Sequence, residues 1–309
     1  MRELIDTLIN ISLPIMILIA AGYGFQKIFK TDVRTFIKLQ MYLLVPVMVF
    51  IRMLEAELTS GLVLTTAAFS LMLMVALYIV SRIYSAAMRF PRSMRNATTN
   101  LMMLINSGNY GFPLIDLEFP GSPVAAASQL LIVLSQNIVS STVSIYQASA
   151  GHASRKQALL SIVKMPVLYA MVLGFIVRLI AVPVPPLIRI PLEYINQTFV
   201  GIALIALGVQ LADVKLTNGL SRVMITSIVK ILVTPAIAFG IVLILGLDGL
   251  LAQALIIGIS TPTALTAAMI AYEFNNEPAY TSQVVVVTTV LCTFSLPAVI
   301  WFVQQYFPI

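Results

Sequence analysis

Ten apolar segments of membrane length follow one another along this chain, and they leave little freedom in how it can fold. A bilayer core takes about 20 apolar residues per helix. Such segments run at roughly 4–27, 34–53, 59–81, 96–118, 124–147, 161–181, 191–211, 221–246, 249–273 and 281–306, joined by short connections. Lipid supplies no partners for bare backbone, so each segment must close its hydrogen bonds internally as a helix. Composition agrees: 60% of the 309 residues are hydrophobic and 10% are charged, whereas a soluble domain carries roughly 25% charged residues. The expectation is an all-α membrane protein. The first segment follows Met-Arg-Glu with no basic leader region or small-residue cleavage site, so it reads as a retained helix.

Charge sets an orientation. Fourteen of the eighteen basic residues fall in or beside the odd-numbered connections: Lys27, Lys30, Arg34 and Lys38; Arg82, Arg89, Arg92 and Arg95; Arg155, Lys156 and Lys164; Lys215, Arg222 and Lys230. The opposite side holds Arg2, Arg52, Arg178 and Arg189. The positive-inside rule then puts the odd connections in the cytoplasm and both termini outside. A net charge of +6 spread over loops in this way is no nucleic-acid footprint. Five segments starting outside and five starting inside are the arithmetic of an inverted repeat, 1–150 followed by 151–309.

Two segments are interrupted. The fourth contains Asn106-Ser-Gly-Asn-Tyr-Gly-Phe-Pro113 and the ninth contains Ser260-Thr-Pro-Thr263. Paired breaks at corresponding positions of two halves point to a transporter's binding site. Gly108 and Gly111 permit backbone angles denied to other residues, and Pro113 suits the first turn of a new helix. Asn106, Ser107, Asn109 and Tyr110 bring hydrogen-bonding groups to membrane depth. In the second break Thr261 reads as an N-cap and Pro262 as the first helical residue, with Thr263 beside them. New half-helices would present free N–H groups and partial positive charge, which suits a carboxylate. The blander reading makes both breaks kinks repaired by neighbouring helices.

Outside the breaks, Gln136 and Asn137 lie in the middle of the fifth segment, as interhelical glue or as substrate contacts. Gln210 reads as a solvated helix end, and Arg52 with Glu55 as a surface pair. Lys230, one turn before Pro235, either compensates charge at a crossing or snorkels to the surface. Asp116, Glu118, Glu193 and Glu273 all map near segment ends, so no acid marks a coupling site at mid-membrane. Cys292 reads as a small buried hydrophobe. His152 is the single histidine and sits in the mid-chain connection Gly151 to Gln157. Without a second histidine, a paired-aspartate motif or a Gly-x-Ser-x-Gly elbow, the residues offer no catalytic set, metal site or cofactor site.

Ile105-Asn106 through Gly111-Phe112-Pro113, Pro262, the Glu273-Phe-Asn-Asn-Glu-Pro278 turn and Leu296-Pro297 resemble the auxin efflux carrier family. Pro46, Leu207-Gly208, Lys230 and Pro235 fall where that family has similar residues, and the resemblance covers essentially the whole chain. It is to the shorter prokaryotic members, some of them described as malonate transporters. The resemblance implies two five-helix inverted repeats with crossed fourth and ninth helices, as in the bile-acid symporter and sodium–proton antiporter folds. It implies a scaffold of helices 1, 2, 6 and 7, a transport domain of helices 3–5 and 8–10, a homodimer and an elevator mechanism. Asn106 would meet the substrate carboxylate, Gln136 would stand in the vestibule, and Pro113 and Pro262 would shape the crossing. The mid-chain loop lacks the length of the plant regulatory loop. Thr263 stands where the family has a glutamine-like residue, so plant auxin specificity does not carry over. The expected function is secondary transport of a small organic carboxylate, auxin-like or malonate-like, across the cytoplasmic membrane. Sodium coupling, proton coupling and a non-transporting anion sensor stay open as alternatives.

Overall fold

A computed structural model of the chain describes residues 2–56, 58–149, 166–214 and 219–309. In chain order its helices are α1 Leu4–Phe29, α2 Val33–Glu55, α3 Ser60–Ala87, α4 Arg92–Met103, α5 Gly111–Glu118, α6 Pro123–Ala148, α7 Pro166–Leu179, α8 Pro186–Ala212, α9 Leu220–Ile244, α10 Gly249–Ile259, α11 Leu265–Glu273 and α12 Pro278–Tyr306. Seven of these, α1, α2, α3, α6, α8, α9 and α12, are long and apolar enough to cross a membrane. The fourth expected segment is split into α4 and α5, and the ninth into α10 and α11. The sixth is described only from Pro166, as α7. The connection Gly151 to Gln157 with His152, and the basic residues Arg155, Lys156, Lys164 and Lys215, lie outside the described residues.

Local chemistry explains the helix ends. Thr59 accepts the Leu62 N–H and Ser122 accepts the Ala125 N–H, each as a side-chain N-cap. Pro123, Pro186 and Pro278 open their helices at the position where a missing N–H costs nothing. Wider π turns interrupt α1 at Leu8–Ser12, α2 at Gln40–Leu44 and α6 at Ser140–Ser144.

The two most extensive helix pairings are α1 with α8 and α2 with α7. Both depend on glycine. A Cβ on Gly22 would overlap the Ile205 carbonyl, and one on Gly208 would overlap the Ile19 carbonyl, so the backbones of α1 and α8 touch reciprocally. At Gly174 of α7 a Cβ would come within 2.7 Å of the Met53 Cβ and 3.0 Å of the Phe50 carbonyl. Close backbone approach through small residues is how helices associate where no hydrophobic driving force exists. The outer faces carry exposed large apolar groups, among them Ile17, Leu64, Leu71, Leu187 and Phe294. Water would penalise such a surface, and hydrocarbon covers it.

Candidate functional site

At the break in the fourth segment the chain leaves α4 after Met103, runs extended through Leu104 and Ile105, and turns back into helix at Gly111. The second break leaves α10 after Ile259 and re-enters helix at Leu265. The two unwound stretches meet as a short antiparallel bridge between Ile105 and Thr263. Asn106 N–H donates to the Pro262 carbonyl at 2.8 Å, and Ala264 N–H donates to the Leu104 carbonyl at 3.0 Å. Each break therefore supplies the partners that the other lost on leaving helix, and buried backbone groups in lipid require them.

Side chains lock this crossing. Thr263 Oγ1 donates to the Leu101 carbonyl, and the Thr263 N–H donates to Thr288 Oγ1 of α12. Gln136 Oε1 accepts the Ile105 N–H at 3.1 Å, while its amide nitrogen reaches the Met74 sulfur. Gln129, one face and two turns earlier on α6, donates to the Ser107 carbonyl at 2.6 Å. Its amide is wedged between Gly111 and Gly258, where a Cβ on either glycine would overlap it. Gly258→Ala should cost about 1–3 kcal/mol of stability through that overlap. Gln129→Ala in the same chain should recover most of the loss, read as thermal midpoints in a double-mutant cycle. Additive losses would contradict the wedge.

Lys230 is 1% exposed and donates to the Met102 carbonyl in the last turn of α4 at 2.5 Å. It does not snorkel. With α9 packed beside α4, the ammonium lies against the partial negative charge of a half-helix C-terminus.

A cavity of about 220 Å³ opens onto the crossing. Asn106, Ser107, Gly108, Asn109 and Gln136 of the expected set line it, and so do Asn137, Gln40 and Gln210. The π turns of α2 and α6 border it through Gln40, Met41 and Ser140. The first turn of α11 borders it through Leu265 and Thr266. No partner for the N–H groups of those two residues is found among the described residues. The Asn106 amide nitrogen is buried without a partner as well. Among the described lining residues none carries a charge. Tyr110, Gly111, Pro113, Thr261, Pro262 and Thr263 are not among its described lining residues. Tyr110 is fully buried in the main apolar cluster with Leu207 and Cys292.

Three sequence expectations are corrected. Thr261 and Pro262 do not open the second half-helix: Ala264 holds the cap position and α11 begins at Leu265. Pairing with the first break holds Pro262 in extended chain, which outweighs its preference for a helix start. Gln210 is not solvated: it is 7% exposed on the cavity wall, and its amide nitrogen has no partner. Arg52 pairs with Asp116 of α5, not with Glu55, which lies 3.4 Å from Arg189. Gln129 was missed, although its spacing of seven from Gln136 places both on one face of α6.

Comparison with known proteins adds two findings. A family model described as "Membrane transport protein" matches residues 124–300, more than half of the chain. A protein named "Uncharacterized transporter" from Methanothermobacter thermautotrophicus is 28% identical over 196 residues, which is 63% of this chain and 63% of that relative. The chain thus spans under two thirds of the length of this curated relative. The family match takes in the second break and α6, and it begins after the first break.

Proposed function

Because the chain belongs to the membrane transport protein family, the auxin efflux carrier family that its sequence resembles, we propose that it is a secondary transporter holding a small organic carboxylate at the crossing. One observation carries this reading: Asn106, whose buried amide nitrogen has no partner, and Leu265 and Thr266, whose N–H groups have none among the described residues, line one cavity. Donors without acceptors at a helix start suit an anion. The wall pairs them with Ile37, Met41, Val133 and Met269. One carboxylate on an apolar body fits such a wall better than two, since a second carboxylate would lie on apolar groups without a partner.

The proposed architecture is ten spans in two inverted repeats of five, 1–150 and 151–309. Exchange of the first repeat with the second turns the pair α1 and α8 into the pair α7 and α2, and these are the two most extensive pairings. The same exchange maps the break at 104–110 onto the break at 260–264. Helices α1, α2, α7 and α8 would form the scaffold of an elevator. The remaining helices would carry the site, and a homodimer would meet through the scaffold. Orientation follows the basic loops, with the cavity facing the cytoplasm and both termini outside.

Flux of indole-3-acetate and malonate into proteoliposomes tests the reading. Saturable uptake of one of them is the expected result, with indole-3-acetate the faster. Binding without flux would make the protein a sensor instead. Sodium and proton gradients imposed separately assign the coupling, and acceleration by sodium alone would identify a symporter.

A further inference from the structure

A second cavity lies at the other end of the same helices. Its volume is about 210 Å³, and its wall includes Arg52, Asp116, Ser122 and Asn196. On α2, Gln40 of the first cavity and Arg52 of the second are twelve residues apart, about 18 Å along the axis. On α8, Gln210 and Asn196 are separated by about 21 Å in the same sense. Two cavities at opposite ends of one interface between α2 with α8 and α5 with α6, with a packed barrier between them, are what an alternating-access path requires.

The barrier between them is apolar and ends in an ion pair. Met48, Val49, Phe112, Phe199 and Ala203 share one buried cluster. The Phe112 ring meets Phe199 edge-on, with centroids 6.3 Å apart at 84°. Above it the Arg52 guanidinium lies 4.9 Å from the Phe112 ring centre and pairs with Asp116. The Arg52 and Asp116 side chains are 15% and 32% exposed, so the pair sits at the mouth of the second cavity and not in bulk water. It ties α2 to α5, the half-helix that follows the first break. Glu55, the other acid on this wall, faces Arg189. Arg52 is thus left to Asp116.

We infer that the Arg52–Asp116 pair is the gate of the second mouth of the transport path, closed in this conformation while the Gln40 end is open. The inference rests on the transporter reading, since a gate needs two alternating openings. Relative movement of α2 and α5 must break the pair, and its energy biases the protein toward the state open at the crossing.

Thiol accessibility tests this without a known substrate. Ala203→Cys places a reporter in the barrier and serves as the parent, and the chain without it gives the background from buried Cys292. A membrane-impermeant maleimide is applied from the Arg52 side of proteoliposomes. Arg52→Gln and Asp116→Asn should each raise labelling of the reporter by about tenfold, the scale of losing a hydrogen bond to a charged partner. Arg52→Lys, which keeps the charge, should label close to the parent rate. The exchange of Arg52→Asp with Asp116→Arg should label more slowly than either neutral variant. Equal labelling in the parent, Arg52→Gln and Asp116→Asn would overturn the gate, and so would an exchanged pair as reactive as the neutral variants. Flux of indole-3-acetate and malonate through the unmodified protein tests the transporter reading separately. A protein that moves either acid but shows no labelling response loses the gate alone.

Discussion

Gly208→Val should lower the stability of this protein by about 3 kcal/mol or more, while Gly201→Val in the same helix should leave it near the native level. At Gly208 any Cβ meets the Ile19 carbonyl and lies 2.7 Å from the Tyr23 nitrogen, both backbone atoms that no rotamer can move. At Gly201 a Cβ meets nothing within 4 Å. Overpacking a core costs about 1–3 kcal/mol when side chains can adjust. Here two helix axes must separate, so a loss of about 3 kcal/mol or more is expected. The total stability of a domain is about 5–15 kcal/mol. Thermal midpoints of the two variants in detergent check this. Equal losses at both positions would show that α1 and α8 do not pack through Gly208.

Lys230→Met should separate stability from function. Desolvation of an ammonium costs several kcal/mol. The carbonyl of Met102 returns about 1.5–3 kcal/mol of that as a charged hydrogen bond. Loss of both terms together should change stability by less than about 2 kcal/mol. The bound anion would lose more. If a carboxylate at Asn106 lay on the order of 10 Å from a charged Lys230, it would gain about 1.7 kcal/mol at an effective dielectric of about 20. Binding of the transported acid should therefore weaken by more than about tenfold, with the protein still folded. Unfolding of Lys230→Met would make the lysine a packing residue. Unchanged affinity in a folded variant would remove its part in the site.

Seven membrane-length helices and both breaks were legible in the sequence because their signals are local. Runs of about 20 apolar residues allow one reading, and asparagine, glycine and proline together inside such a run allow few others. What the breaks do to one another was not legible. Asn106 and Pro262 are joined by a hydrogen bond across more than half the chain, and that bond decides where α11 starts. Thr261 and Pro262 carry a sound local signal for a helix start, and a long-range pairing overrides it. Arg52 shows the same limit, because its partner stands 64 residues away and Glu55 only three. The fate of Lys230 depended on whether a carbonyl lay within its reach, and the end of α4 supplies one. Gln129 was open to discovery from its register with Gln136. The wedge it forms between Gly111 and Gly258 needed three segments in place.

Equilibrium binding of indole-3-acetate and malonate to the purified protein and to Asn106→Ala tests the central claim most directly. The side chain of Asn106 holds no partner that its loss would strand, so the variant should keep its thermal midpoint without ligand. The acid that binds the unmodified protein should bind Asn106→Ala about tenfold to a hundredfold more weakly, the range for a hydrogen bond to a charged group. An unchanged affinity in a folded Asn106→Ala protein would place the carboxylate somewhere other than the crossing.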